Sequence, residues 1–102
     1  MNWGLEVLVI EKIQGVLKKY SSVHLVLIYG SRVLGTFKNG SDIDLSIKGS
    51  KIDLDLLLRI KSDLSDLDIP YTVDLNFYDQ LTNPQLQQHI DDFGQEFYKS
   101  MP

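Results

Sequence analysis

The stretch DIDLSI (42–47) alternates residue by residue. Ile43, Leu45 and Ile47 take one side of an extended chain, and Asp42, Asp44 and Ser46 take the other. Side chains of a strand point to opposite faces with a period of two, so this pattern predicts a strand with one apolar and one polar face. YTVDLNFY (71–78) repeats it, with Val73, Leu75 and Phe77 against Thr72, Asp74 and Asn76. Two such strands demand a sheet whose one face lies on a core and whose other face carries carboxylates. Carboxylates at i and i+2 repel each other, and burying them is costly, so something has to compensate.

The rest of the chain supplies what such a sheet needs. Residues 3–20 place Trp3, Val7, Ile10, Ile13, Leu17 and Tyr20 at helical spacing, which predicts an amphipathic helix broken at Ser21-Ser22. VHLVLIY (23–29) is a continuous apolar run, read as a central strand buried on both faces. It ends at Gly30, and Ser31 is placed to cap a short helix over 31–36. FKNGS (37–41) is loop, with Asn39-Gly40 as its turn. Lys48-Gly49-Ser50 is a turn, 51–67 a second long helix, and Pro70 its limit. NPQLQQHIDDF (83–93) is a helix with Asn83 as cap, Pro84 at the first turn and Gly94 as stop. QEFYKS (95–100) is a short edge strand. The fold expected is a small α/β (α+β) domain, a mixed sheet of three to four strands with helices mainly on one face and the other face open.

Bulk properties exclude several classes. With 102 residues, residues 1–102 form a single domain, and 43% hydrophobic residues suffice for one core. The net charge of -4 argues against stable nucleic-acid binding, which favours a basic patch. The absence of cysteine removes disulfides, thiolate metal sites and cysteine nucleophiles. No segment reads as a signal peptide or a membrane span, so a cytoplasmic setting is expected.

The polar positions suggest chemistry. Asp42 and Asp44 lie on one face, and Asp74 joins them if the two alternating strands are neighbours. Hard divalent cations such as Mg²⁺ take oxygen ligands, typically one or two carboxylates plus substrate phosphates, and a third carboxylate would complete a two-metal site. Gly30-Ser31, at the carboxyl end of the central strand, offers close backbone approach and free N–H groups to an anion, and Arg32 could add charge. Each feature alone has a plainer reading: Asp-x-Asp as a solvated strand face, Gly-Ser as a turn, Asp74 as a surface residue. Their joint occurrence is what points to phosphate chemistry. His24 reads as a packed strand residue, His89 as a lone histidine on a terminal helix, and Trp3 with the 3–20 stripe as core.

GSRVLGTFKNGSDIDLSI (30–47) resembles the signature of the DNA polymerase beta-like nucleotidyltransferase superfamily: Gly-Ser, a spacer, then Asp-x-Asp. Gly30, Ser31, Arg32 and Gly35, with the block Ser41 to Leu45, are similar to its smallest branch, the minimal nucleotidyltransferases (MNT), which serve as antitoxins of HEPN/MNT toxin–antitoxin modules. VDL (73–75) matches the third carboxylate, and HIDDFGQEFY (89–98) is similar to the branch's ending. Val33, Leu34, Phe37 and Lys38 depart from it without removing a catalytic group. The resemblance implies that Asp42 and Asp44 hold two Mg²⁺ ions and that Asp74 joins one and helps activate an acceptor hydroxyl. It implies that Gly30 and Ser31 bind the distal phosphates of ATP and that AMP passes to a tyrosine hydroxyl of a helical HEPN-type RNase toxin. A chain of this length keeps no residues for an acceptor domain, so a partner is implied, in a homo- or hetero-oligomer. Two alternatives stand beside this: an antitoxin that neutralises by binding alone, and a small-molecule nucleotidyltransferase of the antibiotic-modifying type completed by a helical subunit.

Overall fold

The computed structural model describes residues 2–49 and 53–100. Ser50 of the expected turn and residues 51–52, the expected start of the second long helix, lie outside the described residues. The order is α1 (Val7–Lys18), β1 (Leu25–Tyr29), α2 (Ser31–Leu34), β2 (Ile43–Lys48), α3 (Leu54–Ser65), β3 (Val73–Phe77), a 3-10 turn at Tyr78–Gln80, α4 (Pro84–Phe93) and β4 (Gln95–Lys99). Every expected element is present; the 3-10 turn was not foreseen.

The four strands form one sheet in the order β3-β2-β1-β4. β1 pairs antiparallel with β2 and with β4, and β2 pairs parallel with β3. A parallel pair needs a crossover, and α3 provides it. The alternation read from the sequence sets the register: Ile43 faces Val73, Asp44 faces Asp74 and Leu45 faces Leu75. Shifting this pairing by one residue would turn the aspartates into the core, so the apolar pattern holds it.

The core lies on one side of the sheet. Val26, Ile28, Ile43, Leu45, Ile47, Leu75 and Phe77 meet Val9, Ile13, Val16 and Leu17 of α1 and Leu57, Ile60 and Leu64 of α3. The helical stripe of α1 is rotated from the one expected. Val7 is 61% exposed while Val9 and Val16 are buried; the helix starts at Val7, and Trp3 lies outside it, against Phe97. β1 is central, as expected, but its two faces differ: Val26 and Ile28 are wholly buried, while Leu25 and Leu27 on the polar side are half-buried. His24 precedes β1 and is exposed rather than packed, at hydrogen-bond distance from Ser100.

Two helix ends differ from expectation in mechanism. Gly30, not Ser31, caps α2, so Ser31 is its first residue. Gly94 ends α4 with φ -60, an ordinary backbone angle; a side-chain carbon there would come within 2.5 Å of the Ile90 carbonyl, so glycine supplies room, not a left-handed turn. The start of α4 is as read: the Asn83 side chain accepts from the N–H groups of Gln85 (2.9 Å) and Leu86 (3.2 Å), with Pro84 next.

α4 packs on the polar side of the sheet, not on the main core. Its Asp91 pairs with Lys48 of β2 at 3.8 Å and accepts from the Tyr78 hydroxyl at 2.7 Å. The polar face is thus open at Asp74 and Asp42 but covered beside β1. Loss of a helix N-cap costs about 1 kcal/mol. Asn83→Ala should therefore lower the thermal midpoint by about 4–8 °C, followed by circular dichroism.

Candidate active site

Five predicted site residues meet at one corner of the polar face. Asp44 and Asp74 are register partners on adjacent parallel strands, and Tyr29 faces Asp44 from the other side. Asp42 lies one residue before β2 and is exposed, as is Asp74, while Asp44 is half-buried. Gly30 closes the corner. Its φ of +80 and ψ of -153 suit glycine alone, and a side-chain carbon there would run into the Asp44 carboxylate. In α2 the Val33 and Leu34 N–H groups donate to the Gly30 carbonyl, both at 3.1 Å, and Ser31 and Arg32 come before the first such bond.

The electrostatics are those of crowded like charges. Burial raises the Asp44 carboxyl above its usual range, and Asp74 and Asp42 raise it further; Arg32 partly offsets this. Among the described residues no three carboxylate or imidazole side chains are already gathered as a metal cage. The three aspartates line a face rather than enclose a point. The donor set still fits a hard divalent cation: every candidate ligand is a carboxylate oxygen, and the excess negative charge at Asp44 is what such a cation would relieve.

The floor of the face is a neutral hydrogen-bond chain across three strands. Ser46 Oγ donates to Asn76 Oδ1 at 2.6 Å, and Asn76 Nδ2 donates to the Tyr29 hydroxyl at 2.7 Å. Burial pushes the Tyr29 phenol up to about 12, against the Asn76 hydrogen bond, with Asp44 and Asp74 adding to the rise. Tyr29 stays protonated at neutral pH and is no base.

Arg32 is not where a phosphate ligand was expected. It is 3% exposed, and its donors are spent on backbone: Nη1 to the Trp3 carbonyl (3.1 Å), Nε and Nη2 to the Ser41 carbonyl (3.3 and 2.9 Å). Its guanidinium also lies over the Phe37 and Tyr71 rings, 5.0 and 4.8 Å from their centroids. It clamps the loop that delivers Asp42. Of the aromatic residues that enclose Arg32, Phe37 follows in the next loop, whereas Tyr71 comes from a distant segment.

Two residues at the corner were missed. Tyr29 was counted only as part of an apolar run. His89 was set aside as a lone histidine, yet its Nε2 accepts from the Gly30 N–H at 3.0 Å, and its ring packs edge-on against Tyr29 at 6.0 Å. The available signal was spacing: Leu86, His89, Ile90 and Phe93 share one face of α4.

Away from the aspartates, a cavity of about 480 Å³ lies between α1 and β4, lined by residues including Glu11, Gln14, Lys18 and Tyr98.

Residues 11–101 match the family model described as "Polymerase beta, Nucleotidyltransferase". No curated protein matches in sequence. Several solved structures share the fold. A toxin–antitoxin complex with AMP-PNP aligns with TM-score 0.70 and 24% identity, over 89% of this chain and 73% of that one. A tri-AMPylated Shewanella oneidensis HEPN toxin in complex with MNT antitoxin aligns with TM-score 0.65 and 22% identity, over 91% and 71%. The MntA-HepT toxin–antitoxin complex aligns with TM-score 0.67 and 21% identity, over 93% and 74%.

Two stability tests follow from the crowding. A raised carboxyl contributes stability below its unfolded pKa and withdraws it as pH rises through the folded value. Asp44→Asn should therefore raise the thermal midpoint of the metal-free chain at about pH 7 by about 2–4 °C and change it little near pH 3. Arg32→Met, which leaves the Trp3 and Ser41 carbonyls unpaired, should cost about 2–3 kcal/mol by denaturant titration.

Proposed function

The chain belongs to the polymerase beta nucleotidyltransferase family, and from that membership we propose that it is a Mg²⁺-dependent protein adenylyltransferase, the MNT antitoxin of a HEPN toxin. The observation that carries this is the register of Asp44 with Asp74 beside Gly30, with Asp42 just upstream. That is the family's Gly-Ser, Asp-x-Asp and third carboxylate assembled at one corner. The fold shared with MNT–HEPN complexes, one holding AMP-PNP and one a tri-AMPylated toxin, supports the choice of donor and partner.

In this reading Asp42, Asp44 and Asp74 hold Mg²⁺. When bound, the metal neutralises the phosphates and the carboxylates together and stabilises charge on the leaving group. Gly30, with no side chain, lets the distal phosphates of ATP come close to the start of α2, and the Ser31 N–H and hydroxyl offer the donors. Asp74, exposed on an edge strand, takes the proton of the acceptor hydroxyl. The hydroxyl oxygen bonds to the α-phosphorus, the bond to the bridging oxygen breaks, and pyrophosphate leaves. Catalysis is positioning and electrostatics.

The acceptor belongs to another protein. The face is open, with Asp42 and Asp74 exposed, and a second protein can present a tyrosine to Asp74. Binding energy at that interface then brings the hydroxyl into line. Among the described residues no helix is long and apolar enough to cross a membrane.

The test is transfer of label from α-labelled ATP to the helical protein encoded beside this one. Mg²⁺ should be required, EDTA should abolish transfer, and Asp42→Asn with Asp44→Asn should reduce it by about 100-fold or more. If that double variant still neutralises the toxin and no label ever moves, binding alone is the activity and the catalytic reading falls.

A further inference from the structure

We infer that His89 is a positioning residue for the phosphate end of the site, an inference that rests on the nucleotidyltransferase reading above. β1 ends at Tyr29, so the Gly30 N–H has left the sheet ladder; its acceptor is His89 Nε2, 59 residues away on α4, at 3.0 Å. Gly30 holds a conformation that a free glycine would leave readily, φ +80 with ψ -153, and that conformation sets where Ser31 and the start of α2 stand against Asp44. An imidazole acceptor on a braced helix is therefore the external restraint on the turn that presents the phosphate ligands.

The brace is visible around it. The ring packs edge-on against Tyr29 and tilts against Phe93, 5.4 Å between centroids. α4 is tied at its start by the Asn83 cap, and Asp91 is held by Lys48 and Tyr78. Ile90, beside His89, is buried at 1%. The histidine thus transmits the position of α4 to the Gly30 peptide. The Nε2 atom must be unprotonated to accept this bond, which puts the proton of the neutral ring on Nδ1.

The role predicts an effect on nucleotide binding that depends on an acceptor at position 89, not on bulk. Measured with a fluorescent ATP analogue and Mg²⁺, His89→Leu should weaken binding about tenfold. It should raise the nucleotide KM more than it lowers kcat, with the thermal midpoint recorded alongside. His89→Gln, which keeps a side-chain acceptor, should stay within about threefold of the parent. Equal affinity in the parent and His89→Leu overturns the inference, as does a His89→Gln variant no better than His89→Leu. A second measurement needs no variant. Hydrogen exchange at the Gly30 amide of the parent chain should be slow without nucleotide and remain slow with it. Loss of protection on nucleotide binding would mean that the hydrogen bond to His89 is given up in the bound state, and the positioning role fails. If the parent binds no nucleotide at all, the nucleotidyltransferase reading fails and this inference with it; slow exchange at Gly30 without nucleotide then identifies the shared premise, not the hydrogen bond, as the fault.

Discussion

Asp44 stands opposite Asp74 across a parallel pair of strands, and the architecture is what holds two like charges there. A flexible surface would let them separate into water. Here the apolar partners on the reverse side, Ile43, Leu45, Ile47, Leu75 and Phe77, are buried to a few per cent or less and hold both strands flat against α1 and α3. The energy of burying five large apolar side chains, about 1.5–3 kcal/mol each, far exceeds the repulsion between two partly solvated carboxylates. The core thus keeps the charge density at one corner, where a divalent cation would relieve it.

Three devices refine that corner. Gly30 yields the volume that the Asp44 carboxylate occupies, and any side chain would reclaim it. The Ser46–Asn76–Tyr29 chain pairs the polar side chains of the floor with one another, so that the charge of this corner lies at the aspartates. Arg32 works at a distance. Its buried guanidinium ties the backbone at Trp3 to the backbone at Ser41, one residue ahead of Asp42. The motif's arginine is thus a clamp on the loop, and the positive charge it contributes at Asp44 arrives through space.

The aspartate triad was legible in the sequence because strand alternation is a local code. Once 42–47 and 71–78 are strands with buried apolar faces, the aspartates must lie on the other face, and a crossover helix between them favours parallel neighbours. The Gly-Ser turn was legible for a similar reason, as punctuation at the end of an apolar run. The rotated stripe of α1 was not legible, since Val7 and Val9 are equally apolar and only packing against α3 and β4 chooses between them. The exposed His24 was misread because an apolar run gives no sign of where the sheet ladder begins.

Local pattern by itself determined the element order, the two-faced strands, the cap of α4 and the side of its strand on which each of Asp42, Asp44 and Asp74 lies, because each depends on residues within a turn or two of one another; that Asp44 and Asp74 stand side by side was decided by the tertiary structure. Tertiary structure alone decided the functions of Arg32 and His89. Both side chains act through hydrogen bonds to backbone atoms on distant segments, Arg32 to Trp3 and His89 to Gly30. A backbone N–H or C=O is the same at every position of a sequence, so nothing in the order of side chains reveals which one a distant residue will hold. Only the folded path of the chain, bringing α4 over the end of β1, makes that choice.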